Sequence, residues 1–566
     1  MVPRSVWGIT IAWAALLLGA SIIWPMFYGF DEPQHLDMGY VYSQHPFTFF
    51  GPGELPLTSG SVGAQRLVDG FPPVKRFADV PVAPRSLRPS FDDLGGTAFV
   101  VGSQPNQMVQ HPPLYYWGAA VVLRLPGVNN LAWDIQVWLV RCLSMLFMLP
   151  VPLLCWASTR RLLPLGTRSD STALLAALVP LTVPNLVRDG SAVTNDSLLI
   201  AATSVLLYLL CRVLTGDLSR RTAVGVAVAL CATLWTKGFA LGFPPIVVAA
   251  YVFAATRRVM VVDPSSGAEG VEEPGSVDVD PAGGASRGSR LGLRAVLVPL
   301  LISLCGAVVG GLWWLRNLLE FGTVQINGLG PTFTRLIRGE PKNTGTLGGF
   351  WQPFVRGFVL RLWGGLGLLD KPALAGWLVY GWFFLVLLGV VVSLLRRRDV
   401  GDRLRSMILL AVPLLSFLIV FAGSFSEYHQ YLVLAGVQGR YVYHGIVAVA
   451  ALAAIGWASL VPERLIRWLA RALAIAALLT NLLAWRVVLR TWYAHIARGA
   501  SPSVLNGYHS LLRWSPLPSV ITILLTFVFP VLAGAWMLVS LWRPTSGGRG
   551  DESSRRGRMV EDVTFR

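Results

Sequence analysis

The chain of 566 residues is 54% hydrophobic and only 14% charged, and it repeatedly runs apolar for longer than the ~20 residues that a bilayer span needs. That composition excludes a single soluble core. The formal net charge of +17 would suggest nucleic acid in a soluble protein, but here the arginines cluster in short gaps between apolar runs. They therefore read as topology signals, with no nucleic-acid partner.

The apolar runs are rich in Leu, Val and Ala and lack period-2 alternation, so lipid-facing backbone must be satisfied within helices and not barrel strands. The fold class is all-α: a polytopic integral membrane protein of about twelve transmembrane helices in a prokaryotic cytoplasmic membrane. Spans are expected near 6–28, 134–158, 170–187, 197–215, 222–236, 238–256, 294–315, 373–396, 405–423, 441–461, 466–486 and 517–541. The first run is long and lacks a small-x-small cleavage site, so it reads as an uncleaved span. The five cysteines all lie within apolar runs without paired spacing, which indicates neither disulfides nor a zinc site.

Residues 112–126 are apolar but too few to cross, and their status decides the orientation of everything downstream. If they do not cross, Arg160, Arg161, Arg168, Arg220, Arg221, Arg396, Arg397, Arg398, Arg403, Arg405, Arg464 and Arg467 all fall in the cytoplasm. Only Arg188, Lys237 and Arg440 then occupy the opposing short loops. If they cross, the asymmetry inverts against the positive-inside rule. Residues 112–126 are therefore expected to form a non-crossing interfacial helix on the outer face, with both termini cytoplasmic.

This topology gives a transmembrane domain over 1–486, which includes outer loops 29–133 and 316–372. A further outer loop and last span follow over 487–541. Residues 259–293 and 542–566 are rich in small and polar residues and are expected to be disordered and cytoplasmic. The triplet Asp278-Val279-Asp280 resembles a metal-nucleotide motif of soluble sugar transferases, but it lacks flanking strands and is read as chance.

Acidic residues collect at the ends of spans, where a lipid-headgroup site would lie, and not at mid-membrane as in ion-coupled transporters. FDEPQHLDMGY follows the first span and places Asp31, Glu32 and His35 at the outer membrane edge. Its carboxylates either cap an interfacial helix or accept a proton and orient an acceptor. QHPPLYYW opens the non-crossing helix: Tyr115, Tyr116 and Trp117 read as interface anchors, whereas His111 is free to meet a phosphate or a metal. In RDGSAVTNDS, Asn195 and Asp196 open the next span, either as a cap or as a second acidic site. Lys237 of LWTKGF either snorkels or holds an anion, and VQGRYVYH puts Arg440 at the mouth of the tenth span. By this topology all of these share one face, as a site for an anionic headgroup and a proton transfer requires.

Together these motifs resemble the GT-C superfamily of membrane glycosyltransferases, of the protein O-mannosyltransferase and aminoarabinose-transferase type. WWLRNLLEFG and VQGRYVYH look closer still to a bacterial family of predicted GT-C-like membrane proteins. The resemblance covers about residues 1–460. It implies transfer of a sugar from a polyprenyl-phosphate donor to a glycan, lipid or protein acceptor of the cell envelope, on the extracytoplasmic side. Asp31, Glu32 and Asp196 would be the catalytic acids, and His35, His111, Lys237 and Arg440 would bind substrate. Where the aminoarabinose transferases carry Lys before the proline, this chain has His111. No cofactor is required and a divalent metal is allowed, with its ligands unknown. Alternative readings are a transporter or flippase of lipid-linked saccharides, or a non-catalytic membrane assembly protein.

Overall fold

The protein, seen in a computed structural model, is described over residues 2–68, 77, 80–262, 284–367, 372–397, 399–494 and 503–542. In chain order the principal helices begin with α1 (Arg4–Ile23), α2 (Glu32–Gln44), α3 (Leu114–Leu123) and α4 (Trp133–Leu162). They continue with α5 (Thr167–Thr182), α6 (Pro184–Gly190), α7 (Asp196–Leu214), α8 (Arg220–Leu234) and α9 (Gly238–Thr256). Next come α10 (Ala295–Phe321), α11 (Gly330–Arg338), α12 (Leu347–Trp363), α13 (Gly376–Arg396) and α14 (Val400–Tyr431). The last four are α15 (Gly439–Leu460), α16 (Glu463–Tyr493), α17 (Val504–Trp514) and α18 (Ser519–Trp542). Among the described residues the only β pairings are isolated bridges such as Thr58 with Phe99. The chain is an all-α, multi-pass membrane protein.

Ten of these helices are long and apolar enough to cross a bilayer, and the bent pair α5–α6 makes an eleventh if it counts as one span. The remaining expected span, 222–236, forms α8, which has 15 residues. At 1.5 Å per residue it covers about 22 Å, less than the ~30 Å of a hydrocarbon core. It packs between α7 and α10, so protein replaces much of the lipid around it.

The α5–α6 break follows from its sequence, VPLTVPN. Pro184 has no N–H to continue the ladder, and the two halves meet at 72°. Carbonyls freed by such a break need partners inside a membrane. The Asn481 amide of α16 donates to Leu181 O at 2.8 Å, and the Trp363 indole of α12 donates to Thr182 O at 2.9 Å.

Helix ends segregate. At one end Arg168 donates to Ala458 O and Arg396 donates to Ser459 O, which gathers loops expected on the basic side. The opposite end carries α2 and α3. With ten residues, α3 reaches only about 15 Å and packs along α2 without crossing. Tyr115 and Tyr116 on α3 are fully buried. Their expected role as interface anchors is corrected: the Tyr115 hydroxyl meets Ser144 Oγ at 2.8 Å and the Tyr116 hydroxyl meets His35 Nδ1 at 3.0 Å. Trp117 donates its indole N–H to Pro46 O at 2.7 Å.

The terminal segment packs onto the rest of the chain. α18 lies along α1, and Trp492 meets Tyr28 edge-on at 4.7 Å between ring centroids. Arg85 and Arg88, between α2 and α3, donate to the carbonyls of Leu512, Arg513, Trp514 and Ser515 at the end of α17. Of the stretches expected to be disordered, 259–262 and 284–293 are helical, a correction to that expectation; 263–283, with the Asp278 triplet, and 543–566 lie outside the described residues.

Candidate active site

Asp31 stands between α1 and α2 with φ 54° and ψ 20°, in the left-handed region that a non-glycine residue enters at a cost of about 1–3 kcal/mol. Such a conformation persists only where the surroundings hold it. Asp31 occupies the N-cap position of α2, yet its side chain makes no capping bond. Its carboxylate instead accepts from Gln107 Nε2 at 3.1 Å and pairs with Arg440 Nη2 at 3.3 Å. The side chain is 31% exposed.

Glu32, the next residue, faces away from solvent. Its carboxylate forms a fork with Arg141, Nε to Oε1 and Nη2 to Oε2, both at 2.7 Å. The backbone N–H groups of Gly29 and Val193 complete its shell. Burial alone would raise the Glu32 pKa, but the Arg141 charge and these hydrogen bonds leave it below the ordinary carboxylate value. Arg141 spends its other donors on Ser21 O, Trp24 O and Pro25 O, which satisfies the end of α1. Glu32 was expected among the catalytic acids, but it does not line the cavity described below. Every feature of its surroundings is that of an anchor for the turn carrying Asp31.

The cation wall comes from two other breaks. Lys237 follows α8, and its Nζ lies 2.6 Å from Asp196 Oδ1 and 4.8 Å from the centroid of the Tyr441 ring. It is buried, so it pairs and does not snorkel. Asn195 makes no capping bond at the start of α7; its amide donates to Thr236 O at 3.3 Å and so ties this turn to the one bearing Lys237. Arg440 enters at the start of α15, behind Gly439, where a Cβ would collide with the Leu362 backbone. Its guanidinium reaches three carboxylates: Asp31 at 3.3 Å, Asp196 at 3.3 Å and Asp189 at 3.5 Å. The Phe30 ring lies 4.3 Å from both the Arg440 and the Arg188 guanidinium carbons, a contact that suits weakly hydrated cations.

His35 and His111 form the facing wall, their rings nearly parallel at 8° and 6.5 Å apart. Burial, reinforced by the Lys237 charge, pushes both well below the ordinary histidine value, so both are neutral near pH 7. His111 Nδ1 is buried without a hydrogen-bond partner. Asp37, two residues beyond His35, accepts from Thr58 N, Thr58 Oγ1 and Asn106 Nδ2 at 3.1, 2.5 and 2.9 Å. It thereby fixes the strand of chain that carries Gln107 and His111 onto α2.

These groups line a cavity of about 850 Å³, bordered by Asp31, His35, Gln107, His111, Lys237 and Arg440. Leu241 and Ile419 also border it and are 37% and 40% exposed on the outside of the bundle, which takes the cavity to the apolar surface. Among the described residues no group of three His, Cys, Asp or Glu side chains is placed to hold a metal ion. The three aspartates are each engaged with Arg440, and Asp196 with Lys237 as well.

Asp31, His35, His111, Asp196, Lys237 and Arg440 thus come together as the topology required, whereas Glu32 lies behind them. Sequence reasoning missed Arg141, Asp189 and Gln107. Arg141 had a usable signal, since a lone Arg inside an apolar span needs a buried partner. Asp189 stands within the quoted RDGSAVTNDS. Nothing in the residues around Gln107 marks it.

Residues 110–266, just over a quarter of the chain, match a family model described as dolichyl-phosphate-mannose-protein mannosyltransferase. The matched stretch holds His111, Asp196 and Lys237 but neither Asp31 nor Arg440. Its class agrees with the GT-C resemblance read from the motifs. No curated protein matches in sequence. Among solved structures, ArnT from Cupriavidus metallidurans bound to undecaprenyl phosphate is 14% identical with a TM-score of 0.41, over 95% of this chain and 75% of that one. Oligosaccharyltransferase AglB from Archaeoglobus fulgidus, in complex with an inhibitory peptide and a dolichol-phosphate, is 12% identical with a TM-score of 0.41. That match covers 94% of this chain and 56% of AglB. Likeness at this level assigns no function.

Proposed function

We propose that the protein is a GT-C-type glycosyltransferase that moves a sugar from a polyprenyl-phosphate donor to an acceptor of the cell envelope. The carrying observation is one cavity with an accessible, strained Asp31 on one side, Lys237 and Arg440 on another, and an edge at the apolar surface. The family match over 110–266 supports the class.

In this reading the donor phosphate meets Lys237 and Arg440, with its polyprenyl chain leaving past Leu241 and Ile419. An acceptor hydroxyl attacks the anomeric carbon and gives its proton to Asp31. The bond from that carbon to the phosphate oxygen breaks, and the departing charge is stabilised by the two cations. The lipid phosphate is itself the leaving group, so the scheme requires no metal. Asp196 orients Lys237 and Arg440, and His35 and His111 offer neutral hydrogen-bonding edges to the sugar. The site end of the bundle is extracytoplasmic, and both termini are cytoplasmic in the cell membrane. A transporter or flippase would need polar groups at mid-membrane or at both ends, whereas this cluster occupies one end.

The test is transfer of radiolabelled sugar from a polyprenyl-phosphate donor to cell-envelope extract by purified protein in nanodiscs. Asp31→Asn keeps the shape and a residue type that tolerates the left-handed region. Turnover should fall roughly 10²- to 10⁴-fold, the usual range for a positioned proton acceptor, while the protein stays folded. Normal turnover by folded Asp31→Asn rejects the assignment.

A further inference from the structure

Arg440 has more partners than it can serve once an anion enters. Its side chain is 2% exposed and already faces Asp31, Asp189 and Asp196. Two of these are sealed with it: Asp189 and Asp196 are 2% and 5% exposed and cannot withdraw without stranding a buried charge. Asp31 differs in burial and in what else holds it. All three contacts with Arg440, at 3.3 to 3.5 Å, are long for charge-assisted bonds, but Asp31 is 31% exposed and its other partner is the neutral Gln107. An oxyanion arriving from the cavity reaches Arg440 on the side where Asp31 stands, because Asp31 and Arg440 line that cavity and Asp189 and Asp196 do not.

From this geometry we infer that the donor phosphate and Asp31 compete for Arg440, so that donor binding frees the Asp31 carboxylate and Gln107 alone then holds it toward the acceptor. The inference rests on the glycosyltransferase reading and adds an order to it: donor first, acceptor second. Before the phosphate arrives, the Asp31 carboxylate is turned to Arg440, so it is released toward an acceptor only when there is a sugar to transfer. Gln107 is a positioning residue in this scheme.

The experiment measures binding of heptaprenyl phosphate, and of heptaprenol as the uncharged control, to the full-length protein in nanodiscs. Asp31→Asn should bind heptaprenyl phosphate about tenfold more tightly than the wild type and heptaprenol equally well. A misfolded variant cannot produce that gain. In the Arg440→Gln background the Asp31→Asn gain should vanish, since two groups that share a partner couple in a double-mutant cycle. For Gln107→Ala, kcat should fall with little change in donor affinity, and Gln107→Asn should recover part of it. Equal or weaker phosphate binding by Asp31→Asn overturns the inference, as does a gain that persists without Arg440, which would be simple repulsion. If the wild type fails to distinguish heptaprenyl phosphate from heptaprenol, the donor-site reading falls and the inference falls with it.

Discussion

Asp31 and Glu32 are neighbours in sequence and each pairs with an arginine, yet the two pairs are built for opposite ends. Glu32 and Arg141 form a closed fork, with 2.7 Å bonds and every remaining donor of the guanidinium spent on carbonyls. Asp31 and Arg440 meet once, at 3.3 Å, on the wall of a cavity. A sealed pair holds backbone in place and exchanges nothing; an open pair can trade partners. The strain at Asp31 is tolerable because the residue after it is immobilised. The acidic dipeptide is therefore one device with a fixed half and a working half.

Breaking the fixed half should produce the largest loss. Arg141→Ala leaves Glu32 buried and unpaired, which should cost roughly 3–5 kcal/mol, read as a collapse of thermal stability in detergent. Arg141→Met with Glu32→Gln should recover much of it. If Arg141→Ala is as stable as the wild type, the anchor reading is wrong.

A smaller effect separates the walls of the cavity by pH. His35 and His111 are held neutral in the folded protein, with pKa values below the ordinary ~6.5. The unfolded chain therefore binds more protons than the folded one as pH falls. Stability from these residues is complete above about pH 6.5 and declines below it, by up to about 1.4 kcal/mol per pH unit for each histidine. The groups facing them are Lys237, Arg440, Asp196 and Tyr116. Thermal melts from pH 7.5 down to 5 should show the decline in the wild type and a flatter profile in His35→Gln/His111→Gln. Equal slopes would remove the histidines from the neutral wall.

The smallest effect is expected farthest from either pair. Residues 263–283 are Gly, Ser, Asp and Pro-rich and connect helix ends opposite the site. Deleting them should leave turnover within about twofold in the same sugar-transfer assay. Loss of turnover in folded protein would reveal a partner or regulatory role there.

The all-α membrane fold and the shared face of Asp31, His111, Asp196, Lys237 and Arg440 were legible because hydropathy and arginine placement decide on which side each helix ends. What local sequence could not show was which of two adjacent carboxylates faces the cavity. That choice is made by Arg141, 109 residues from Glu32. The Tyr115–Tyr116 pair misled for a similar reason: aromatic residues at a helix start suit a membrane interface, but α4 meets Tyr115 and α2 meets Tyr116. The 15-residue length of α8 was already visible in the expected span 222–236, but hydropathy alone does not reveal that neighbouring helices pack along it.

Arg85 and Arg88 close the segment between α1 and α4 onto carbonyls that lie more than 420 residues further along the chain. A ribosome must add more than 420 further residues before those carbonyls exist. Until then the segment between α1 and α4 waits at the membrane surface without its clasp. The helix that follows α17, α18, lies along α1, so the clasp closes beside the same helix that leads into the segment it holds.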